Sequence, residues 1–206
     1  MVKPGINYLK LLGILGALSI TPLSAAQANQ QWYIGGGISA MRQFESNNVD
    51  YDAGHGFSGK VGIVPTDEGF FRNMRIEGEY LYQNNDIKSS QPNAGKTELD
   101  AGMLNGYYDF SNRTSIVPYI GVGVGYADVA VKSPGLGVSD SSDSGIALQV
   151  LTGASYTNEK NNHLRFYLAY RLFGIPYELD VHRDNGRIDD GYYVSHAVEL
   201  GFHYKF

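Results

Sequence analysis

The last ten residues, Ala197-Val198-Glu199-Leu200-Gly201-Phe202-His203-Tyr204-Lys205-Phe206, decide the fold. Val198, Leu200, Phe202, Tyr204 and Phe206 are apolar or aromatic, and the residues between them are small, polar or charged. A period of two is the mark of a β-strand whose two faces meet different surroundings. Leu164, Phe166, Leu168, Tyr170 and Leu172 repeat the pattern against His163, Arg165, Tyr167, Ala169 and Arg171. Met74, Ile76, Gly78, Tyr80 and Tyr82 repeat it against Arg75, Glu77, Glu79, Leu81 and Gln83.

Glycine-rich stretches carry the same alternation. Trp32, Ile34 and Ile38 alternate with Tyr33, Gly35, Gly37 and Ser39, and Phe57, Val61 and Ile63 with Ser58, Lys60 and Gly62. Ile120, Val122, Val124 and Tyr126 alternate with Tyr119, Gly121, Gly123 and Gly125, and Leu148, Val150, Ala154 and Tyr156 with Gln149, Leu151, Gly153 and Ser155. In Leu99 to Phe110 the phase is weaker, and Asn105, Tyr107 and Asp109 are assigned to the polar face. Eight strands are therefore predicted, near 32–42, 57–64, 74–83, 99–110, 118–127, 146–156, 163–173 and 194–206. Each is close to the ~9–11 residues that cross a bilayer as a tilted strand.

The connections alternate strictly between long and short. Gln43–Gly56, Asn84–Glu98, Asp128–Gly145 and Gly174–Tyr193 are long and polar, whereas Pro65–Phe71, Ser111–Ile116 and Thr157–Asn162 are short. Short periplasmic turns, long extracellular loops and an even strand count are the pattern of outer-membrane barrels.

Orientation separates a membrane barrel from a soluble one. The chain has 206 residues, 26 glycines, 16 tyrosines, 9 phenylalanines and no cysteine, and only 18% of it is charged. The polar strand face is mostly Gly, Ala and Ser, too little to coat a soluble barrel. Small residues interspersed with Arg75, Glu77, Glu79, Gln149, Arg165, Arg171, Glu199 and Lys205 suit a lumen that side chains just fill. The other face is continuously Leu, Ile, Val, Phe and Tyr, a surface suited to lipid. The fold expected is all-β, an eight-stranded antiparallel up-and-down transmembrane barrel.

Residues 1–26 read as a secretory leader. Lys3 and Lys10 precede or open the apolar run Leu11–Ile20, and Ser24-Ala25-Ala26 provides small residues for cleavage near Ala26, or near Ala28. Residues 27–206 then form the barrel domain. A net charge of −5 excludes the basic surface of a nucleic-acid binder. The absence of cysteine excludes thiolate metal sites and a Cys nucleophile.

The motifs in this order resemble the opacity-type and surface-antigen family of outer-membrane proteins, which share the OmpA/OmpX-like eight-stranded barrel. Its carriers are Gln31-Trp32-Tyr33-Ile34-Gly35-Gly36-Gly37, Arg75-Ile76-Glu77-Gly78-Glu79-Tyr80, and Asn105-Gly106-Tyr107-Tyr108-Asp109-Phe110. Further along stand Val117-Pro118-Tyr119-Ile120-Gly121-Val122-Gly123-Val124-Gly125-Tyr126, Ala169-Tyr170-Arg171 and Leu200-Gly201-Phe202-His203-Tyr204-Lys205-Phe206. The resemblance implies residence in a Gram-negative outer membrane, with termini periplasmic and loops extracellular. It implies adhesion, antigenic display or envelope structure, with a low-conductance channel as the alternative and a host or matrix ligand at the loops. It also implies that Phe202, Tyr204 and Phe206 form the signal read by the barrel-assembly machinery.

Arg75, Glu77, Glu79, Arg165, Arg171, Glu199 and Lys205 are expected to share the lumen as an interior charge network, since buried charges must pair. The network is expected to act as a fixed plug, and a gated ion path is the competing reading. Gly121-Val122-Gly123-Val124-Gly125 lacks the following helix that a phosphate loop needs, so no cofactor is expected. Glu178, Asp180, His182, Asp184, Asp189 and Asp190 do not fit the spacing of a calcium loop, because Asn185 and Gly191 stand at its Gly and Glu positions. No metal is expected there, and Asp184-Asn185-Gly186 suggests a hairpin turn with strands extending beyond the membrane. His55 with Ser58, and Ser195 with His196, are the His/Ser neighbours worth testing for hydrolysis; neither has an evident carboxylate orienter, and no enzyme is expected.

Overall fold

The computed structural model describes residues 30–43, 53–65, 70–86, 95–133, 138–158, 161–182 and 188–206. The leader, residues 1–26, lies outside them. Eight strands close into one barrel in which each pairs with its sequence neighbour and the first pairs with the last. They are β1 (Gln30–Gln43), β2 (Gly54–Pro65), β3 (Met74–Asp86), β4 (Lys96–Asp109), β5 (Ile116–Ser133), β6 (Val138–Asn158), β7 (Asn161–His182) and β8 (Ile188–Lys205). A short 3-10 turn, Phe70–Asn73, leads into β3.

Closure leaves no lateral edge at the β1–β8 junction. Tyr33 pairs with Lys205 and Gln43 with Ser195, and the Phe206 amide donates to the Trp32 carbonyl at 3.0 Å. Closure matters in lipid, where every backbone polar group must find its partner within the protein. At the short turn after β4, the Thr114 amide donates to Asn112 Oδ1, and Asn112 Nδ2 to the Ile116 carbonyl, each at 2.9 Å. This is the local bonding that makes Asn a turn residue.

The two faces separate as alternation demands. Ile38, Leu104, Val122, Leu168, Val198 and Leu200 are all more than half exposed on the outer wall. Aromatics flank this band: Tyr156, Phe166, Tyr204 and Phe206 toward the short turns, Phe57, Tyr126 and Tyr170 toward the long loops. Tyr80, by contrast, is half-buried and donates to Asp100. The phase of β4 places Asn105, Tyr107 and Asp109 inside with Leu99, Ala101 and Met103.

One long loop of the sequence reading is corrected, and a second carries the strand extension expected of it. Asp128–Gly145 is largely strand, since β5 runs to Ser133 and β6 starts at Val138. Gly174–Tyr193 is likewise ribbon, with Asp180 opposite Asp190 and His182 opposite Ile188. Alternation continues into this ribbon, with Tyr177, Leu179 and Val181 against Glu178, Asp180 and His182, and the backbone ladder continues with it. The Asp184-Asn185-Gly186 turn lies outside the described residues, as do the side chains of Glu178, Asp180, His182, Asp189 and Asp190. Gly121 to Gly125 lies within continuous strand β5, paired on both sides.

Candidate functional site: the ionic girdle of the lumen

The lumen is divided along its axis. Nearest the long loops it is apolar on one side, where Leu81, Leu99, Met103, Val129, Phe173 and Ile175 pack together with Tyr193. The sequence places Leu81 on this face, and the phase assigned to Asn105, Tyr107 and Asp109 extends by parity to Leu99 and Met103.

Below this cluster lies the girdle. Arg171 donates through Nη1 to Glu79 Oε2 at 3.0 Å and through Nη2 to Glu79 Oε1 at 2.5 Å. Nη2 also donates to Glu199 Oε2 at 2.7 Å, and Nη1 donates to Gln149 Oε1. Lys60 Nζ lies 2.7 Å from Glu199 Oε1 and 3.5 Å from Glu79 Oε1. Tyr167 and Ser58 donate to Glu199 Oε1 at 2.6 and 3.1 Å. Gln149 Nε2 and Asn105 Nδ2 each donate to Glu79 Oε2 at 2.9 Å.

A second tier sits toward the short turns. Tyr33 and Tyr107 donate to the two oxygens of Glu77 at 2.8 and 2.9 Å. Arg75 Nε shares its proton between the Asp109 oxygens at 3.1 Å, and Arg165 Nη1 donates to Asp109 Oδ2 at 3.0 Å. The Arg75 guanidinium also lies over Tyr107, 4.5 Å from the ring centre, a favourable contact of a cation with a π face.

The structure thus joins Arg75, Glu77, Glu79, Arg165, Arg171 and Glu199 in one interior system. Lys205 stands apart, half-buried at the short-turn rim. Lys60 and Asp109, both on the polar face by parity, complete the network in its place. Their strand register was the missing signal: Lys60 lies directly opposite Glu79. With them, among the described residues four cations (Lys60, Arg75, Arg165, Arg171) meet four carboxylates (Glu77, Glu79, Asp109, Glu199), so the girdle balances in charge. Neutrality is what a low-dielectric lumen requires, since an unpaired buried charge costs several kcal/mol.

Glycines make the large side chains fit. Tyr107 crosses to Gly121, its register partner; a Cβ on Gly121 would stand 2.3 Å from the Tyr107 ring. Tyr33 crosses Gly62 in the same way, at 2.3 Å.

The His/Ser neighbours do not share a face. Ser195 is fully buried and donates to Gln83 Oε1 at 3.2 Å, while His196 lies on the outer side. Ser58 is buried on Glu199, and His55 is exposed. Among the described residues, no group of three or more His, Cys, Asp or Glu is placed to hold a metal ion.

A closed antiparallel barrel with an apolar outer wall and a filled ionic interior defines a small integral outer-membrane protein. The chain belongs to the outer membrane protein beta-barrel domain family, whose model matches residues 12–206. A curated relative, "Outer membrane protein" of Gluconacetobacter diazotrophicus, is 29% identical over 154 residues, covering 66% of this chain and 39% of the relative. The chain therefore spans about two fifths of that protein's length. Among solved structures, Neisserial surface protein A matches with TM-score 0.57 and 20% identity over 85% of this chain and 97% of its own. OprG of Pseudomonas aeruginosa matches with TM-score 0.56 and 16% identity over 87% and 96%. At these identities the likeness is one of fold. The protein is an integral β-barrel of the Gram-negative outer membrane, seated in its lipid.

Proposed function

We propose that the barrel is a surface-display scaffold, presenting its long connections outside the cell for adhesion, antigenic display or envelope structure. The ribbons carry this reading. β7 has 22 residues and β6 has 21, about twice the ~10 that cross a bilayer. Their outer parts form the paired arms β5–β6 and β7–β8, which hold recognition surface at a fixed distance from the membrane. Neisserial surface protein A, a surface protein by its name, shares the fold. In this reading residues 1–26 are removed on export, the short turns and both termini are periplasmic, and β8 is read by the assembly machinery through Phe202, Tyr204 and Phe206. The girdle speaks for a scaffold rather than a pore, since its ions satisfy one another across the shaft.

The test is binding of cells displaying the protein to host cells and to matrix proteins. Shortening the β5–β6 and β7–β8 arms abolishes binding while the barrel still shifts on heating in gels. Equal binding by the shortened and full proteins refutes the scaffold reading, and a steady conductance of wild-type protein in planar bilayers favours a channel.

A further inference from the structure

The short-turn mouth of the lumen carries more positive charge than the carboxylates beside it answer. Arg75 and Arg165 both bond Asp109, the carboxylate nearest the rim among the described residues. Glu77, two residues deeper along β3 than Arg75, is closed by the Tyr33 and Tyr107 hydroxyls. Lys205 is a third cation at this mouth. Arg165, Asp109 and Arg75 are the charges that act on it, yet it forms no ion pair with a described residue. Lys205 is therefore the cation left over beside the balanced girdle.

Register decides which side chains reach the mouth. Arg165 stands opposite Thr157 on β6 and His203 on β8, and Lys205 follows His203 toward the rim. Thr157 and Lys205 face inward by parity and are half-buried, so both meet the water of the mouth. His163, the neighbouring position on β7, instead stacks on Tyr204 of the outer face, with ring centres 6.0 Å apart.

Arg165 adds a donor without an acceptor. Its Nη1 is directed at Asp109 and its Nη2 at Ser155. Its Nε is buried with no hydrogen-bond partner among the described residues. A charged N–H left in this way keeps the full cost of its lost hydration. Low-dielectric walls lined by one sign of charge also focus the field toward the opening and draw counter-ions there.

We propose that this mouth binds one phosphate group, held at the rim by the Lys205 ammonium and the Thr157 hydroxyl, with the Arg165 guanidinium as the charge beneath. The three donors belong to the consecutive strands β6, β7 and β8. A tetrahedral oxyanion offers acceptors in several directions and can meet them together, whereas a flat carboxylate presents two oxygens in one plane. Charge-assisted hydrogen bonds of this kind are the strong ones. The group comes either as free phosphate from the water or as the headgroup of a neighbouring phospholipid. The site is the same whichever side of the membrane the short turns face, and it is independent of the display function. The girdle closes the shaft above it, so bound phosphate goes no deeper.

The test uses the full folded barrel in maltoside micelles, a detergent without phosphate, dialysed to equilibrium against radiolabelled inorganic phosphate at constant ionic strength. Saturable binding of one phosphate per barrel is expected. Lys205→Gln should weaken it by about tenfold or more, the loss of one hydrogen bond to a charged group, while Lys205→Arg keeps it. A short-chain phosphatidylglycerol added to the micelles distinguishes the sources: displacement of the label marks a lipid headgroup as the occupant, and no displacement marks the free ion. The heat-dependent gel shift checks the folding of each variant. Should Lys205→Gln fail it, Thr157→Asp supplies a carboxylate to the mouth from β6 and should abolish binding in its place. Uptake that never saturates and falls with added chloride, meaning charge screening only, overturns the proposal. So does unchanged affinity in the folded Lys205→Gln or Thr157→Asp protein.

Discussion

Arg171 on β7 and Glu79 on β3 meet across the lumen by two parallel hydrogen bonds, of 3.0 and 2.5 Å. The same guanidinium reaches Glu199 on β8 at 2.7 Å. One side chain thereby ties three strands together through the interior, independently of the ladders in the wall.

Arg171→Met should destabilise the barrel by roughly 3–5 kcal/mol, because Glu79 and Glu199 are left buried with only Lys60 between them. Adding Glu79→Gln restores charge balance and should recover a large share of the loss. Urea unfolding of the barrel in lipid, followed by its heat-dependent gel shift, measures both variants. Equal losses in the single and double variants would show that Arg171 acts by shape alone.

Gly121 and Gly106 offer a matched comparison on neighbouring strands. A Cβ at Gly121 collides with Tyr107, whose hydroxyl is held by Glu77, whereas a Cβ at Gly106 meets nothing within 4 Å. Gly121→Ala should cost about 1–3 kcal/mol through overpacking, and Gly106→Ala should leave the urea midpoint unchanged or higher.

Leu168 is 55% exposed at the centre of the outer wall. Replacing it with Arg should cost about 2–4 kcal/mol in a bilayer, the penalty for a cation at the midplane. The same variant in a short-chain detergent should lose much less, and a loss of equal size there would deny that this face meets hydrocarbon.

Thr97 Oγ1 is buried without a hydrogen-bond partner among the described residues. Thr97→Val keeps the shape and removes the orphan, so stability should hold or rise by about 1 kcal/mol. Tyr107→Phe makes the opposite change: it strips a donor from Glu77 and should cost about 1.5–3 kcal/mol, the range for hydrogen bonds to charged groups.

How far such effects could be foreseen differs along the chain. In β8 and the barrel part of β7, apolar and polar residues alternate cleanly, and the inward or outward direction of each side chain was legible. In β4 the pattern inverts at Leu99 to Met103, because that end of the lumen is itself apolar: Leu99, Ala101 and Met103 point inward, and Asp100 and Gly102 face out. In the arm of β7 the order continues, with Tyr177, Leu179 and Val181 against Glu178, Asp180 and His182, past the ~10 residues that a bilayer needs.

Parity along a strand depends on neighbours one and two positions away, so the amino-acid order alone determined the eight strands and the side turned to lipid, but not the membership of the charge network, which takes in Lys60 and Asp109 and leaves out Lys205. Which charge meets which was decided only on closure. Lys60 reaches Glu199 and Arg171 reaches Glu79 because the stagger of the strands sets their heights, a property of the whole ring. The end of the β6–β7 ladder at Leu148 and Gly174 has the same origin: Gly174 and Pro176 permit a break, but only the competing ladders to β5 and β8 determine where it falls.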